Sequence, residues 1–247
     1  PVSRAGSPSI DAPDYWWYRV RSDLLRTVME PYLGDRGRIL DVGSADGPSV
    51  GWLRGRGHRV ALDIDPRGLE NGDVCGSALA LPFANCSFDV VAAFDVIEHC
   101  SPEETALAEI HRVLMPGGRF LMSVPAYEWA WTWFDDHNHH HRRYTRKRAT
   151  AALEQAGFEV LRATYAFAGT FPLFAADRLR TRVKQRGRPA PTLGRGQVPA
   201  LPAARGVIEQ VLLRGSVLDA RLLRRGDLPV GSSVFVACRK PGGLLDG

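Results

Sequence analysis

Arg38-Ile-Leu-Asp41-Val-Gly43-Ser-Ala-Asp-Gly47 decides the fold of this chain. The apolar run Ile39–Val42 reads as a buried strand, and it stops in a glycine-rich turn. A second strand-like run, Arg59-Val-Ala-Leu-Asp63-Ile-Asp65, follows one short segment later. A strand that ends at glycines lets main-chain N–H groups approach a ligand closely. An acidic residue at the tip of the next strand accepts both hydroxyls of a ribose. Together the two runs read as a nucleoside-binding crossover.

Outward from this stretch, strands and helices alternate. Asp14 is placed to cap a helix reaching about Tyr32, with Leu24, Leu25, Val28 and Met29 at helical spacing. A helix holding Val50, Trp52 and Leu53 follows the glycine turn and ends at Gly55 or Gly57. Further strands are expected at Val60–Ile64, Asp73–Gly76, Phe88–Phe94, Arg119–Val124, Phe158–Phe167 and Ser232–Cys238. Helices are expected from Pro102 to Val113, with acidic residues in the first turn, and from Thr145 to Ala156. This alternation implies an α/β protein with a mainly parallel, doubly wound sheet. Three parts are expected: an N-terminal segment 1–14, a core of 15–168 plus 226–240, and an Arg/Pro/Gly-rich excursion 169–225 with helical pieces such as 205–225.

With 247 residues, 45% of them apolar and 24% charged, the chain is long enough for one large soluble α/β domain. No run of eighteen apolar residues suggests a membrane span, and the polar start does not read as a signal peptide, so a cytoplasmic protein is expected. Cys75, Cys86, Cys100 and Cys238 lack metal or disulfide spacing and read as reduced thiols. The net charge of +5 rests on arginine and is a weak argument for an acidic partner.

Five stretches, in order, are similar to the class I S-adenosylmethionine-dependent methyltransferases of the small-molecule type. They are Leu40-Asp-Val-Gly43 with Asp46-Gly47; Leu62-Asp63-Ile-Asp-Pro66; Leu81-Pro-Phe83 before Phe88-Asp-Val-Val91; Asp95-Val-Ile-Glu-His99; and Leu114-Met-Pro-Gly-Gly118. The segments Trp16-Trp-Tyr-Arg-Val-Arg21, His140-His-Arg-Arg-Tyr-Thr145 and Leu228-Pro-Val-Gly-Ser-Ser233 resemble a bacterial subgroup of that family. The resemblance implies a Rossmann-like seven-stranded sheet, order 3-2-1-4-5-7-6 with the last strand antiparallel, and S-adenosyl-L-methionine as cofactor, released as S-adenosyl-L-homocysteine.

It also implies roles. Asp41, Gly43, Ser44 and Gly47 would hold the methionine part, with Ala45 where the family often has glycine. Asp63 would accept the ribose hydroxyls, and Ile64 would pack on adenine. Ser77, before Ala78, stands where the family often has an acidic residue that contacts the adenine amino group, and Asp73 is an alternative. Phe94 would line the pocket. Arg21 reads either as a clamp on the cofactor carboxylate or as an arginine whose stem covers the tryptophans.

Methyl transfer to oxygen or nitrogen needs an aligned nucleophile and a general base, a task that suits histidine. The loop Trp129–Tyr144 offers bases, carboxylates and aromatic walls, with His137 and His140 the candidate bases and His99 a further one. Tyr127, Trp131, Arg142, Arg143 and Tyr144 are candidate substrate-pocket residues, the arginines suiting an anionic acceptor. A structural loop and a metal site are the competing readings. Three consecutive histidines cannot all converge on one ion in regular structure, so no metal is expected. Glu98 and His99 read as anchors of the next helix or as chemistry.

The expected function is methyl transfer to a small molecule: a secondary metabolite (natural product biosynthesis), a sugar or a lipid-linked precursor. A non-methylating catalyst such as a cyclase, or a regulator on the same fold, is the alternative. Nucleic-acid methylation is disfavoured, since Phe94-Asp-Val-Ile-Glu98 stands where an Asn/Asp-Pro-Pro-Tyr signature would be. The excursion is expected to cover the pocket, its arginines leaving membrane contact as a lesser reading. A monomer or homodimer is expected.

Overall fold

The computed structural model describes residues 16–34, 37–44, 51–185 and 207–242. Seven strands form one sheet: β1 (Arg38–Val42), β2 (His58–Asp63), β3 (Val74–Cys75), β4 (Phe88–Phe94), β5 (Leu114–Pro125), β6 (Glu159–Ala166) and β7 (Ser233–Arg239). Their order is β3-β2-β1-β4-β5-β7-β6, as the resemblance implies. The first five pair in parallel, with Asp41 beside Ala61 on one side and Ala92 on the other. β7 runs antiparallel to both neighbours, Ser123 facing Phe235. The carboxyl ends of β1, β2, β4 and β5 therefore share one edge, where ligands of such sheets bind.

Central parallel strands are covered on both faces, which is why β1 and β4 read as unbroken apolar runs. Ile39, Leu40, Val42 and Val90–Phe94 are buried. At the opposite edge Asp89 accepts a hydrogen bond from Arg38 N at 2.8 Å, tying the start of β1 to β4. β5 begins at Leu114, earlier than the expected Arg119, because Leu114 pairs with Phe88 ahead of an irregularity in β4.

The helices are α1 (Trp16–Met29), α2 (Glu103–Val113), α3 (Trp133–His137), α4 (Arg146–Gln155), α5 (Phe171–Gln185) and α6 (Val207–Leu223). α1 buries Leu24, Leu25, Val28 and Met29. It gives way at Glu30–Tyr32 to a 3-10 turn holding Pro31, whose ring lacks the N–H that an α-helix needs. α2 carries Glu103 and Glu104 at its start, His111 and Arg112 at its end, and Ala106, Leu107, Ile110 and Val113 on its buried face. Thr145 caps α4 through Arg148 N at 3.2 Å. Of the helix expected after the glycine turn, only the 3-10 turn Gly51–Leu53 falls within the described residues, and Val50 lies outside them.

The excursion contributes α5 and α6, matching the helical piece expected near 205–225. The turn before α5 meets α6 where two glycines leave no room for side chains: a Cβ on Gly169 would stand 2.7 Å from the carbonyl oxygen of Gly215. Asp219 accepts from Gly169 N at 2.9 Å beside that contact. α5 reaches the Trp/His loop through Arg178 to Thr132 Oγ1 (2.7 Å) and Arg182 to the Trp129 carbonyl (2.7 Å). No helix among the described residues is long and apolar enough to cross a membrane. All four cysteines are free, Cys100 and Cys238 buried.

Candidate active site at the carboxyl edge of the sheet

The chain leaves β1 at Gly43 with φ +74°, and its N–H donates to the Leu62 carbonyl at 2.7 Å. A Cβ here would lie 2.3 Å from Val96 Cγ2, so backbone conformation and close packing both demand glycine. Gly47, with Ala45 and Asp46, lies outside the described residues. Asp41 is buried at 1% exposure, and its carboxylate pairs with Arg59 at 2.8 Å. The same guanidinium hydrogen-bonds Ser44 Oγ. Arg59, on β2, is thus part of the turn, although no sequence pattern singled it out. At the tip of β2, Asp63 accepts from Asp65 N at 2.8 Å, and the next side chain, Ile64, is 76% exposed.

Ser77 Oγ accepts from Leu79 N at 3.2 Å, and Ala78 is buried behind it. Asp73 is committed elsewhere: its two oxygens take Ala61 N (2.8 Å) and Glu70 N (2.9 Å), bracing β2 against β3. The adenine-contacting alternative for Asp73 is withdrawn on that ground.

Beyond β4, whose last residue Phe94 is buried, Asp95 adopts φ +59°, uncommon for a non-glycine residue. Its carboxylate bridges Arg21 (2.9 Å) from α1 and Ser123 Oγ (2.9 Å) from β5. Arg21 also donates to Ser123 Oγ at 3.3 Å and is 7% exposed. Within the chain, its carboxylate partner is therefore Asp95. Trp17 stacks on Phe167 with ring centroids 4.3 Å apart. Sequence reasoning passed over Asp95 and Ser123; the signal for the first was its place at the head of Asp95-Val-Ile-Glu-His99.

The next turn, Ile97–His99, meets the Trp/His loop. The rings of His99 and His140 make an edge contact with centroids 4.6 Å apart. Glu98 is fully buried, and neither of its oxygens has a hydrogen-bond partner among the described residues. One donor atom each of Glu98, His99 and His140 lies within 4.8 Å of the others. Burial, and then the nearby Asp95 charge, push the Glu98 carboxyl well above its usual range. Desolvation by the groups packed around its ring, and then His140, pull His99 down to about 4, although the residue keeps an exposed face.

His140 is oriented from behind. Its Nδ1 lies 2.9 Å from Asp135 Oδ1. Asp135 is wholly buried and accepts from Arg143 Nε (2.7 Å) and Thr132 N (2.9 Å). Burial acts to raise this carboxyl, but the bonds from His140 and Arg143 outweigh it and hold it at about 2. An ionised carboxylate only accepts, so Nδ1 carries the hydrogen, and the lone pair of the neutral ring sits on Nε2.

The central domain has counterparts in known proteins. Residues 40–122 match a family model described as a methyltransferase domain. A probable S-adenosylmethionine-dependent methyltransferase from Mycolicibacterium smegmatis is 38% identical over 170 residues, covering 62% of this chain and 63% of that protein. The biotin biosynthesis bifunctional protein of Cellvibrio japonicus is 35% identical over 143 residues, 51% of this chain and 28% of the relative. Among solved structures, the [4+2]-cyclase SpnF superposes with a TM-score of 0.55 at 20% identity, over 90% of this chain and 81% of that one. Residues 40–122 thus carry a methyltransferase domain, set on the seven-stranded sheet of the class I S-adenosylmethionine-dependent methyltransferase fold. It spans about half or less of the length of the first curated relatives it matches, from 28% to 51%.

The geometry of the β1–β2 edge fits S-adenosylmethionine, the cofactor of such domains. Gly43 admits nothing bulkier, and the exposed apolar plate of Ile64 stands beside the Asp63 carboxylate, as an adenosine requires. The exception is Asp41, whose carboxylate already serves Arg59 and so does not match an ammonium-binding role on its own.

The expected substrate-pocket residues divide. Tyr127, with φ +61°, stacks on Tyr165 at 5.3 Å and lies 5.5 Å from Phe171 of α5; burial and the Tyr165 neighbour raise its phenol to about 12. Trp131 donates to Asp136 Oδ1 at 3.0 Å. Arg142 donates to the carbonyls of Cys100 and Ile97, Arg143 is locked between Asp135 and the Ala126 carbonyl (3.1 Å), and the buried Tyr144 hydroxyl donates to Glu103. Of the expected anion-holding pair, both arginines are bonded to acceptors of the framework, main-chain carbonyls for Arg142 and a carboxylate with a carbonyl for Arg143. His137 stays outside the histidine pair, its ring 6.4 Å from Trp133.

Proposed function

We propose that this protein moves the methyl group of S-adenosylmethionine to an oxygen or nitrogen of a small molecule, with the acceptor seated against His99 and His140. One observation carries the reading: the cofactor edge at Gly43 and the histidine pair lie at the carboxyl ends of adjacent strands, β1 and β4. Bound there, the cofactor supplies a sulfonium methyl open to in-line attack. The chain's residues do the rest. Gly43, Ser44, Asp63 and Ile64 hold and orient the nucleoside, with Ser77 and Phe94 beside it. His140, steered by Asp135, presents Nε2 to take the acceptor's proton. Tyr127, Trp131 and α5 form the wall that keeps water out.

The test is calorimetric binding of S-adenosylhomocysteine, followed by mass spectrometry of candidate acceptors after incubation with S-adenosylmethionine. Binding with a methyl-mass gain supports the proposal. Binding with an altered acceptor but no methyl gain favours a non-methylating catalyst, and absence of binding removes the reading.

A further inference from the structure

We infer that Glu98, His99 and His140 form a binding site for one divalent transition-metal ion of the zinc class. Three electron-pair donors converge within 4.8 Å of one another. His140 gives its Nδ1 hydrogen to Asp135. The main chain of Asn138 stands beside the His99 ring and favours its N–H form on that side. Metal-bound histidines are oriented in this way, the far ring nitrogen bonded to a carboxylate or a carbonyl. The third donor, Glu98, is a buried carboxylate with no partner among the described residues. Burying such a group without compensation is costly, and a cation between it and the two imidazoles satisfies all three at once.

The ligand chemistry selects the ion. Two imidazoles and one carboxylate suit zinc and its first-row neighbours, whereas magnesium and calcium prefer all-oxygen sets. With bonds of about 2.0–2.1 Å, tetrahedral ligand atoms lie roughly 3.3 Å apart, so a small rotation of the side chains closes the site. Three protein ligands leave a position open, as catalytic zinc sites do. His139 and His141 are not in this set, which meets the objection that consecutive histidines cannot converge: the tract contributes one ligand, and the turn after β4 contributes two.

The ligand set stands on the cluster alone. Its use in catalysis rests on the methyl-transfer reading. An ion here would take over from His140 the activation of the acceptor, making a bound hydroxyl more acidic so that its proton leaves to solvent, and would favour oxygen acceptors over ammonium ones.

The experiment strips the full chain with EDTA and titrates it with zinc chloride by calorimetry, with cobalt(II) absorption as a second readout of coordination. One ion per chain is expected. Glu98→Gln and His140→Asn should each weaken zinc binding by about 100-fold or more, and a His139→Ala/His141→Ala double variant should bind within about threefold of the parent. Lack of a saturable site, parental affinity in Glu98→Gln and His140→Asn, or loss of binding in the double variant would overturn the site. S-adenosylhomocysteine binding, measured on the same metal-free samples, reports folding and the cofactor edge. A failure of the metal site and a failure of the methyl-transfer reading therefore appear in different measurements. His140→Asn, at a partly exposed position, carries the test should Glu98→Gln fold poorly.

Discussion

The two halves of the site are built differently. The cofactor edge comes from two neighbouring strand tips, Gly43 and Asp63–Ile64, and its shape is set by one glycine's backbone and one strand's termination. The histidine side is assembled from the turn Ile97–His99 and from His140, held by Asp135 and Arg143 on the far side of β5. On the proposed reading, binding a cofactor shared by many enzymes is written in local backbone geometry. Handling this chain's own acceptor depends on side chains that meet only after folding.

Four substitutions sharpen or break that contrast. The largest effect is expected for Gly43→Val. Its φ of +74° and the Val96 contact make any side chain strained, so affinity for S-adenosylhomocysteine should fall below detection, and stability should drop by about 1–3 kcal/mol in thermal melts. Next, His140→Ala should slow turnover about 100-fold while leaving S-adenosylhomocysteine affinity within about twofold. If binding falls as much as turnover, the two halves are not separate. Third, Asp63→Ala should weaken cofactor binding by about 1–3 kcal/mol through lost ribose hydrogen bonds, read by calorimetry; unchanged affinity would take Asp63 out of the site. The smallest effect belongs to Ile64→Ala, about 1 kcal/mol of cofactor affinity from lost apolar contact. The melting temperature should not change, because the side chain is 76% exposed. A loss of stability there would mean that Ile64 serves the fold rather than the ligand.

Much of the fold was legible because buried parallel strands leave unbroken apolar runs and helices leave a period that sequence retains. Ile39–Val42 and Phe88–Phe94 carry the first signal, and Leu24, Leu25, Val28 and Met29 the second. Element ends were less legible. The early start of β5 depends on Leu114 finding Phe88, a pairing that no local pattern encodes. The turn after β1 was legible at Gly43 but not at Arg59, which looks like any strand-end arginine until Asp41 and Ser44 turn toward it. Arg142 and Arg143 misled for the converse reason: two adjacent arginines suggest an anion site, yet the framework's own acceptors claim them.

By itself the sequence determined the doubly wound sheet, its glycine turn and the acidic tip beside it, since each depends on hydrophobic periodicity or on one residue's backbone freedom. Only the tertiary structure set one histidine of the loop apart. His137, His139, His140 and His141 are chemically alike along the chain, and His140 is set apart because folding carries it against Glu98 and His99 and places Asp135 behind it. Orientation and desolvation are properties of the packed site, and they exist only once distant segments share a boundary.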